Sequence, residues 1–386
     1  MFDYIIIGTG ISGLNLGYKL SKKYPKKKIL LIEKDYNIGG RIQSVYLHND
    51  LYYESGGIRF YPEHKNLLSL LKDFKYLKKD FIKIPHNYKR DLVINKKVKK
   101  NENELNQILI DNKDNFTEQQ LLNMTFETYS KKFLTKDELH YLKTFNGFPH
   151  IFTETSACNG LMILKRDFQD IKHFYIMKSG LSNFLYKIVD YIQEKNNDIN
   201  LGEEFINFTK KNNIISVKTN KNIYNTHNLI LTIPLENLNK INNKLLDKKI
   251  VNTVNQIPLC RIFAIFQQNN YWYEKINSTY TDNKIQRIFT KGSRLIQISY
   301  SSNNNAKFWK NKNKNLEETL LKELKKTFPK KKILKPDYLK SHFWNNGIHL
   351  WNTKMNGKEI SNKIIKPNND LNLFICNECY SYNQRW

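Results

Sequence analysis

Apolar and polar positions fall in blocks along this chain, and residues 2–41 show the clearest succession. Residues 4–7 form an unbroken apolar run, which predicts a strand buried on both faces in a parallel sheet. Gly8, Gly10 and Gly13 follow at G-x-G-x-x-G spacing. Leu14, Leu16 and Leu20 predict an amphipathic helix, and residues 28–32 predict a second buried strand. Glu33 closes that strand, 20 residues after Gly13. The unit therefore runs strand, turn, helix, strand.

Beyond it the period of the pattern changes repeatedly. Residues 63–74 place Leu67, Leu68 and Leu71 on one helical face, and the stretch from about 80 to 100 reads as short strands between polar turns. Residues 101–145 read as mostly helical and charged, and Gly147-Phe148-Pro149 marks a break. A strand is expected over 199–208. A hairpin follows, from 214–219 and 222–225 about Asn220-Lys221-Asn222, and then a buried strand over 229–235. Further strands are expected at 261–266, 294–301, 339–344 and 373–375. Leu316, Leu320, Leu321 and Leu324 predict a helix over 316–327. The 386 residues suffice for two domains, each with its own core.

The first unit carries the chemistry of a dinucleotide cradle. The first two glycines allow a tight turn against a pyrophosphate, and the third lets the helix pack on the strand. The helix start at Ile11 and Ser12 offers free N–H groups and partial positive charge to phosphates. Glu33, followed by Lys34, stands where a carboxylate can take ribose hydroxyls. Six residues on, Gly39-Gly40-Arg41 combines close backbone approach with a guanidinium that can fork onto phosphate oxygens. Glu54-Ser55-Gly56-Gly57-Ile58-Arg59-Phe60 comes next.

With these segments in place the chain resembles the flavin-containing amine oxidase family, which includes monoamine, polyamine and L-amino-acid oxidases and has protoporphyrinogen oxidase as a relative. The resemblance implies an α/β fold. A discontinuous Rossmann-type FAD-binding domain (1–70 with 174–250 and 352–386) accompanies a mixed α+β substrate domain (71–173 with 251–351). It implies non-covalent FAD, with Glu33 on the adenosine ribose, Arg41 near the pyrophosphate, Gly56, Gly57 and Ile58 beside the isoalloxazine ring, and Phe205 in a strand passing the adenine. Tyr175 to Leu185 resembles the turn and helix that re-enter the FAD domain.

The tail adds Leu373-Phe374-Ile375-Cys376-Asn377-Glu378, similar to the family's final strand and glycine–acid turn. Glu378 takes the place of the acid that holds the FAD ribitol. Asn377 replaces the glycine, and Asn tolerates positive φ better than other non-glycine residues. Asn383 to Trp386 matches the start of the last helix, where the sequence stops, so flavin reactivity is open. The family reaction removes hydride from a carbon bearing an amine, passes it to flavin N5, and returns it to O2 as H2O2. Asn345 to Trp351 resembles the family's strand that brings an aromatic residue over the flavin, and the resemblance places His349 and Trp386 in the aromatic pair there, with Trp351 as neighbour. A buried polar strand residue is an equal reading of His349. Arg261 stands near the position of a lysine that holds water against flavin N5. Arginine keeps the charge but cannot carry a proton, because its pKa stays above ~12. A plain strand-end cation is the other reading. Arg59 matches the arginine that clamps the substrate carboxylate in L-amino-acid oxidases, or else pairs with Glu54 or backbone.

Charge changes the picture only partly. Lys and Arg number 63 against 36 acids, a net +27 that favours polyanions such as nucleic acid. The lysines are spread among asparagines, as AT-rich codons alone would produce, and no nucleic-acid motif is present. The four cysteines suggest no disulfide framework. Cys376 and Cys379 form a C-x-x-C without a redox setting, and no metal site is expected. No apolar run approaches the ~20 residues of a membrane helix, and the first strand begins beside Met1, so an intracellular protein without signal peptide is expected. The expected function is FAD-dependent oxidation of an amine or L-amino-acid-like substrate. The alternative is a catalytically impaired flavin- or nucleotide-binding protein with a structural role, motivated by Asn377, Arg261 and the short tail.

Overall fold

Apolar runs without a polar face must be covered on both sides, and such runs build the centre of this fold. The computed structural model describes residues 1–48, 51–85, 90–94, 98–168, 173–266, 271–290 and 294–384. The chain divides into two units. Unit 1 comprises Met1–Ile84, His173–Val254 and Asn356–Trp386, and unit 2 comprises Pro85–Lys172 and Asn255–Met355. Among the described residues no helix is long and apolar enough to cross a membrane.

Unit 1 is organised by a seven-stranded sheet. In chain order its elements are β1 (Phe2–Ile7), α1 (Ile11–Lys23), β2 (Ile29–Ile32), α2 (Leu181–Glu194), β3 (Asp198–Asn200), β4 (Phe205–Lys211), β5 (Ile214–Thr219) and β6 (Ile223–Leu231). The order across the sheet is β4-β5-β6-β1-β2-β3, and the C-terminal strand Leu373–Ile375 also pairs with β6. Strand β6 is long enough to hold two partners along one edge. Its first half pairs antiparallel with β5, and its second half pairs parallel with Leu373–Ile375. The parallel strands end together: Ile7 lies beside Ile32 and Leu231, Ile32 beside Asn200, and Leu231 beside Ile375. Helices α1 and α2 cover one face, with Leu14, Phe184, Leu185 and Ile188 packed on Ile6, Leu31 and Ile230.

Unit 2 contains a three-stranded sheet made of β7 (Val254–Ile265), β9 (Leu295–Ser302) and β10 (Tyr338–Trp351), with the short strand β8 (Arg287–Ile288) in a neighbouring three-stranded sheet. One core gathers the helices around Phe126, Tyr129 and Phe152. A second packs Trp309, Leu320 and Leu324 against Ile262 and Ile298.

The structure departs from the sequence pattern in several places. The strand expected over 199–208 is two strands, β3 and β4, parted by a turn in which Gly202 has φ +65°. The hairpin arm at 222–225 and the strand at 229–235 are instead one strand, β6, which stops at Leu231. Leu235 already begins a helix behind Pro234. Residues 339–344 and 345–351 join into the 14-residue β10. Asn377 needs no positive φ: it is extended at φ −152°, and its amide donates to the Ile233 carbonyl at 2.7 Å. Asn383 lies in a turn, and Arg385 and Trp386 fall outside the described residues.

Two stability predictions follow from this packing. A Cβ on Gly13 would lie 2.0 Å from the Gly8 carbonyl oxygen, whereas a Cβ on Gly10 would meet nothing within 4 Å. Gly13→Ala should lose about 1–3 kcal/mol in equilibrium denaturation, with Gly10→Ala close to wild type; equal losses would contradict this packing. His342 of β10 stacks edge-on to Phe263. Burial, then the charges of Lys340 and Arg261, lower its pKa from 6.5 to about 4. Between those values the unfolded chain binds the proton and the folded one does not, so stability falls as pH drops through that window. His342→Gln should flatten this part of the stability–pH curve, and an unchanged slope would refute the assignment.

Candidate functional site

The carboxyl ends of parallel strands are where an open α/β sheet leaves room for a ligand. In unit 1 four segments leave the sheet at that level: residues 8–13, 33–41, 232–234 and 376–380. Gly8 has φ +106°, a conformation that side chains disfavour. Thr232 supports it from below, its hydroxyl donating to the carbonyls of Ile7 at 2.8 Å and Gly8 at 3.2 Å. Helix α1 starts on Gly10 with no side-chain cap and no acid in its first turn. The N–H groups and positive dipole end at Ile11 and Ser12 are therefore left for an anion. The loop at Gly39-Gly40 lies across this start. Gly39 donates its N–H to the Thr9 carbonyl at 2.9 Å and bridges Gly10, and a Cβ on Gly40 would come within 3.5 Å of the Gly10 Cα. Open space over Gly10 beside uncapped N–H groups fits a pyrophosphate.

Glu33 faces the same loop. One carboxylate oxygen accepts from the Thr9 N–H at 2.9 Å and the Thr9 hydroxyl at 3.1 Å, and the other from the Asp35 N–H at 3.1 Å. Lys34 is exposed. Next to Glu33 the backbone of Glu203 donates to the Glu33 carbonyl. The buried Glu203 carboxylate accepts from Thr219 at 2.5 Å, Asn200 at 3.0 Å and Tyr224 at 3.1 Å. Burial pushes the Glu203 carboxyl up, but these hydrogen bonds outweigh it and hold the group below the usual carboxylate range. Phe205 follows two residues later, opposite Thr219 at the start of β4.

Arg41 and Glu378, 337 positions apart in sequence, meet in a 2.8 Å ion pair. The Arg41 carbonyl accepts from the N–H of Gly57, which brings Gly56, Gly57 and Ile58 to the same loop. Glu54 fixes that region to α2. Its buried carboxylate accepts from the Leu181 N–H at 2.8 Å and from the Ser44 hydroxyl at 2.9 Å. Arg59 stacks over Phe174, with Cζ 4.7 Å from the ring centroid. Cys379 is buried, and desolvation, then the Glu378 charge, push its thiol up to about 12. It stays a neutral thiol at neutral pH.

The residues expected to face the substrate from unit 2 lie on one sheet. Arg261 on β7 is buried opposite Tyr300 on β9. His349 and Trp351 are buried two residues apart on β10, and the Trp351 carbonyl accepts from the Thr155 hydroxyl at 3.0 Å. Phe263 contacts His342, and Gly347 abuts Leu259, so His349 falls about four residues, or roughly 13 Å, along the strands from Arg261. The sheet therefore holds Arg261 and His349 but does not bring them together. Trp386, expected as the aromatic partner of His349, lies outside the described residues.

Sequence reading missed Thr9, Thr232, Glu54 and Glu203. Thr9, between two of the three glycines, was the one with a signal, since a hydroxyl there can meet the acid that closes the second strand. Glu54 and Thr232 act across 127 and 225 positions, on Leu181 and Ile7, and no local pattern marks them; Glu203 meets Asn200, Thr219 and Tyr224 within 21 positions, in a polar stretch without a motif.

Comparison with known proteins agrees with this geometry. Residues 11–353 match the family model described as flavin containing amine oxidoreductase. An uncharacterized protein of Acanthamoeba polyphaga mimivirus is 39% identical over 85 residues, 22% of this chain and 16% of that protein. Achacin of Lissachatina fulica is 35% identical over 82 residues, 20% of this chain and 15% of that protein. The matched stretch thus spans about a sixth of these curated relatives. Among solved structures, cyclohexylamine oxidase from Brevibacterium oxydans superposes with TM-score 0.77 at 13% identity, covering 99% of this chain and 94% of that one. A putrescine oxidase variant gives TM-score 0.77 at 12% identity, with 99% and 94% covered. These likenesses establish the fold, an α/β architecture of Rossmann type with a mixed α+β portion. The family match, which extends over most of the sequence, goes further: this chain belongs to the flavin-containing amine oxidoreductase family.

Proposed function

We propose that the chain is an FAD-dependent oxidase of an amine or L-amino-acid-like substrate, with FAD held non-covalently by unit 1. The observation that carries the reading is the meeting of residues 8–13, Gly39-Gly40-Arg41 and Glu378 at one edge of one sheet. In this reading the N–H groups at Gly10, Ile11 and Ser12 bind the pyrophosphate. Glu33 exchanges its Thr9 contacts for the adenosine ribose, and Phe205 stands near the adenine. Arg41 neutralises phosphate charge while Glu378 orients it and takes the ribitol hydroxyls. Gly56, Gly57 and Ile58 let the ring approach the backbone.

A bound flavin supplies the hydride acceptor and, with O2, the route to H2O2; the protein supplies position and electrostatics. Arg59 holds a substrate carboxylate, its plane set by Phe174. Arg261 keeps positive charge and an ordered water near the reacting end, and His349 and Trp351 line the substrate path. Cyclohexylamine oxidase and putrescine oxidase, named for amines, support an amine as the group oxidised. Arg59 favours an amino acid within that class.

Protein purified and reconstituted with FAD should show flavin absorption, lose its long-wavelength band anaerobically with a substrate from an amine and amino-acid panel, and form peroxide in air. Absence of flavin bands after reconstitution would overturn the reading. Release of all flavin on acid precipitation is expected, and flavin left on the protein would contradict non-covalent binding. Arg59→Met should raise KM for an amino-acid substrate by at least about tenfold with kcat little changed, as expected for losing a charged hydrogen bond of ~1.5–3 kcal/mol. KM for an amine lacking a carboxylate should not move. Equal losses for both substrates would show that Arg59 acts through packing instead.

A further inference from the structure

Unit 2 places two arginines on one tyrosine ring. The Arg261 Cζ lies 4.5 Å from the Tyr300 centroid, and the Arg287 Cζ lies 3.8 Å from it. Arg287 also lies 3.8 Å from the centroid of Phe148, so its guanidinium has an aromatic ring at close range on two sides. Its Nε–H donates to the Tyr300 carbonyl at 3.3 Å. Arg261 and Tyr300 are direct cross-strand partners on β7 and β9, and their side chains share one face of the sheet. Arg261 and Arg287 are buried, and the rings of Tyr300 and Phe148 are half-buried.

The surroundings are shaped around the Arg287 side chain. Gly147 ends its helix in the left-handed region at φ +66°, and a Cβ there would lie 2.5 Å from the Arg287 Cδ. The Gln286 amide donates to the Gly147 carbonyl at 2.8 Å and its oxygen accepts from the Ser302 N–H at 2.9 Å. His150 meets the Ser302 hydroxyl at 2.9 Å. The loop carrying Phe148 and the strand carrying Tyr300 are thus tied together by buried hydrogen bonds. A buried cation is expensive compared with an apolar filler of similar size. A planar guanidinium, however, stacks on rings as an ammonium cannot, and it fixes ring orientation.

We propose that Arg287 is a positioning residue: it clamps Tyr300 against Phe148, and Tyr300 in turn sets the orientation of the Arg261 guanidinium. The proposal rests on the reading of Arg261 as a reaction-facing group. Arg261 sits in the middle of a long strand, where backbone pairing fixes its Cα and the Tyr300 face bears on its long side chain. Arg287, stacked on the same ring, bears on how that face is presented.

The test has one arm that needs no turnover. In the flavin-free protein, the Nε–H resonances of Arg261 and Arg287 should both be shifted by ring currents. Arg287→Met should move the Arg261 resonance towards its free value, Tyr300→Phe should leave it in place, and Tyr300→Leu should abolish the shift. An Arg261 signal unmoved by Arg287→Met overturns the proposal whatever the enzyme does. In the FAD-loaded protein, Arg287→Met should lower kcat on the order of tenfold with little change in KM, the size expected of a buried cation–π contact. Arg287→Lys should rescue little of it. In an Arg261→Met background the further loss from Arg287→Met should vanish. Additive losses contradict positioning through Arg261. If Arg261→Met alone leaves kcat unchanged, the role proposed for Arg261 fails, while the resonance experiment still decides whether Arg287 positions it. Should Arg287→Met not fold, Tyr300→Leu against Tyr300→Phe carries the same comparison.

Discussion

The register of the parallel strands is the constraint on which the candidate site depends. β1, β2, β6 and Leu373–Ile375 are paired so that Ile7, Ile32, Leu231 and Ile375 end at one level. A slip of one residue in any of them would turn its buried side chains to the opposite face. Because both faces are close-packed, exchanging side chains between them leaves clashes and voids, and packing penalises that error. The hydrophobic core therefore specifies where the glycine loop, Glu33, Thr232 and Glu378 leave the sheet. No group of the candidate site has to be placed by its own interactions alone.

Polar contacts then refine what the core has brought near. Arg41 with Glu378 joins a segment near the N-terminus to one near the C-terminus. Glu54 satisfies the first N–H of α2 and the Ser44 hydroxyl together, which anchors the strand before the Gly56-Gly57 loop to the helix behind it. Glu33 holds Thr9 while its carboxylate still faces the loop. Each is a charged acceptor partly or wholly out of water, where leaving a donor unmet costs more than the bond contributes. Such groups hold the loops in one arrangement.

Much of this was legible from the chain. The apolar run at 4–7, the three glycines and Glu33 announce their places in the fold because a buried parallel strand, a tight turn and an acid at a strand end each have a local signature. The rest was not, for reasons that can be named. Gly202 breaks one expected strand into two inside a polar stretch where no periodicity was lost. Asn345-Asn346-Gly347 carries turn-forming residues, so 339–344 and 345–351 read as two strands, yet one strand runs straight through. Gly347 is there because Leu259 and the Ile257 carbonyl fill the space a side chain would need. Glu54 and Arg287 are buried charges with partners far along the chain, Leu181 and Phe148, and the buried Glu203 bonds to nearby Asn200, Thr219 and Tyr224 that form no recognisable motif. Only the folded structure shows whether such a residue faces solvent or a network.

The central claim is that three distant segments grip one dinucleotide together. Amide hydrogen exchange with and without FAD tests it most directly. Added FAD should slow exchange in residues 9–13, 39–42 and 377–380 with the same dependence on ligand concentration. Protection confined to one segment, or of none, would contradict the account.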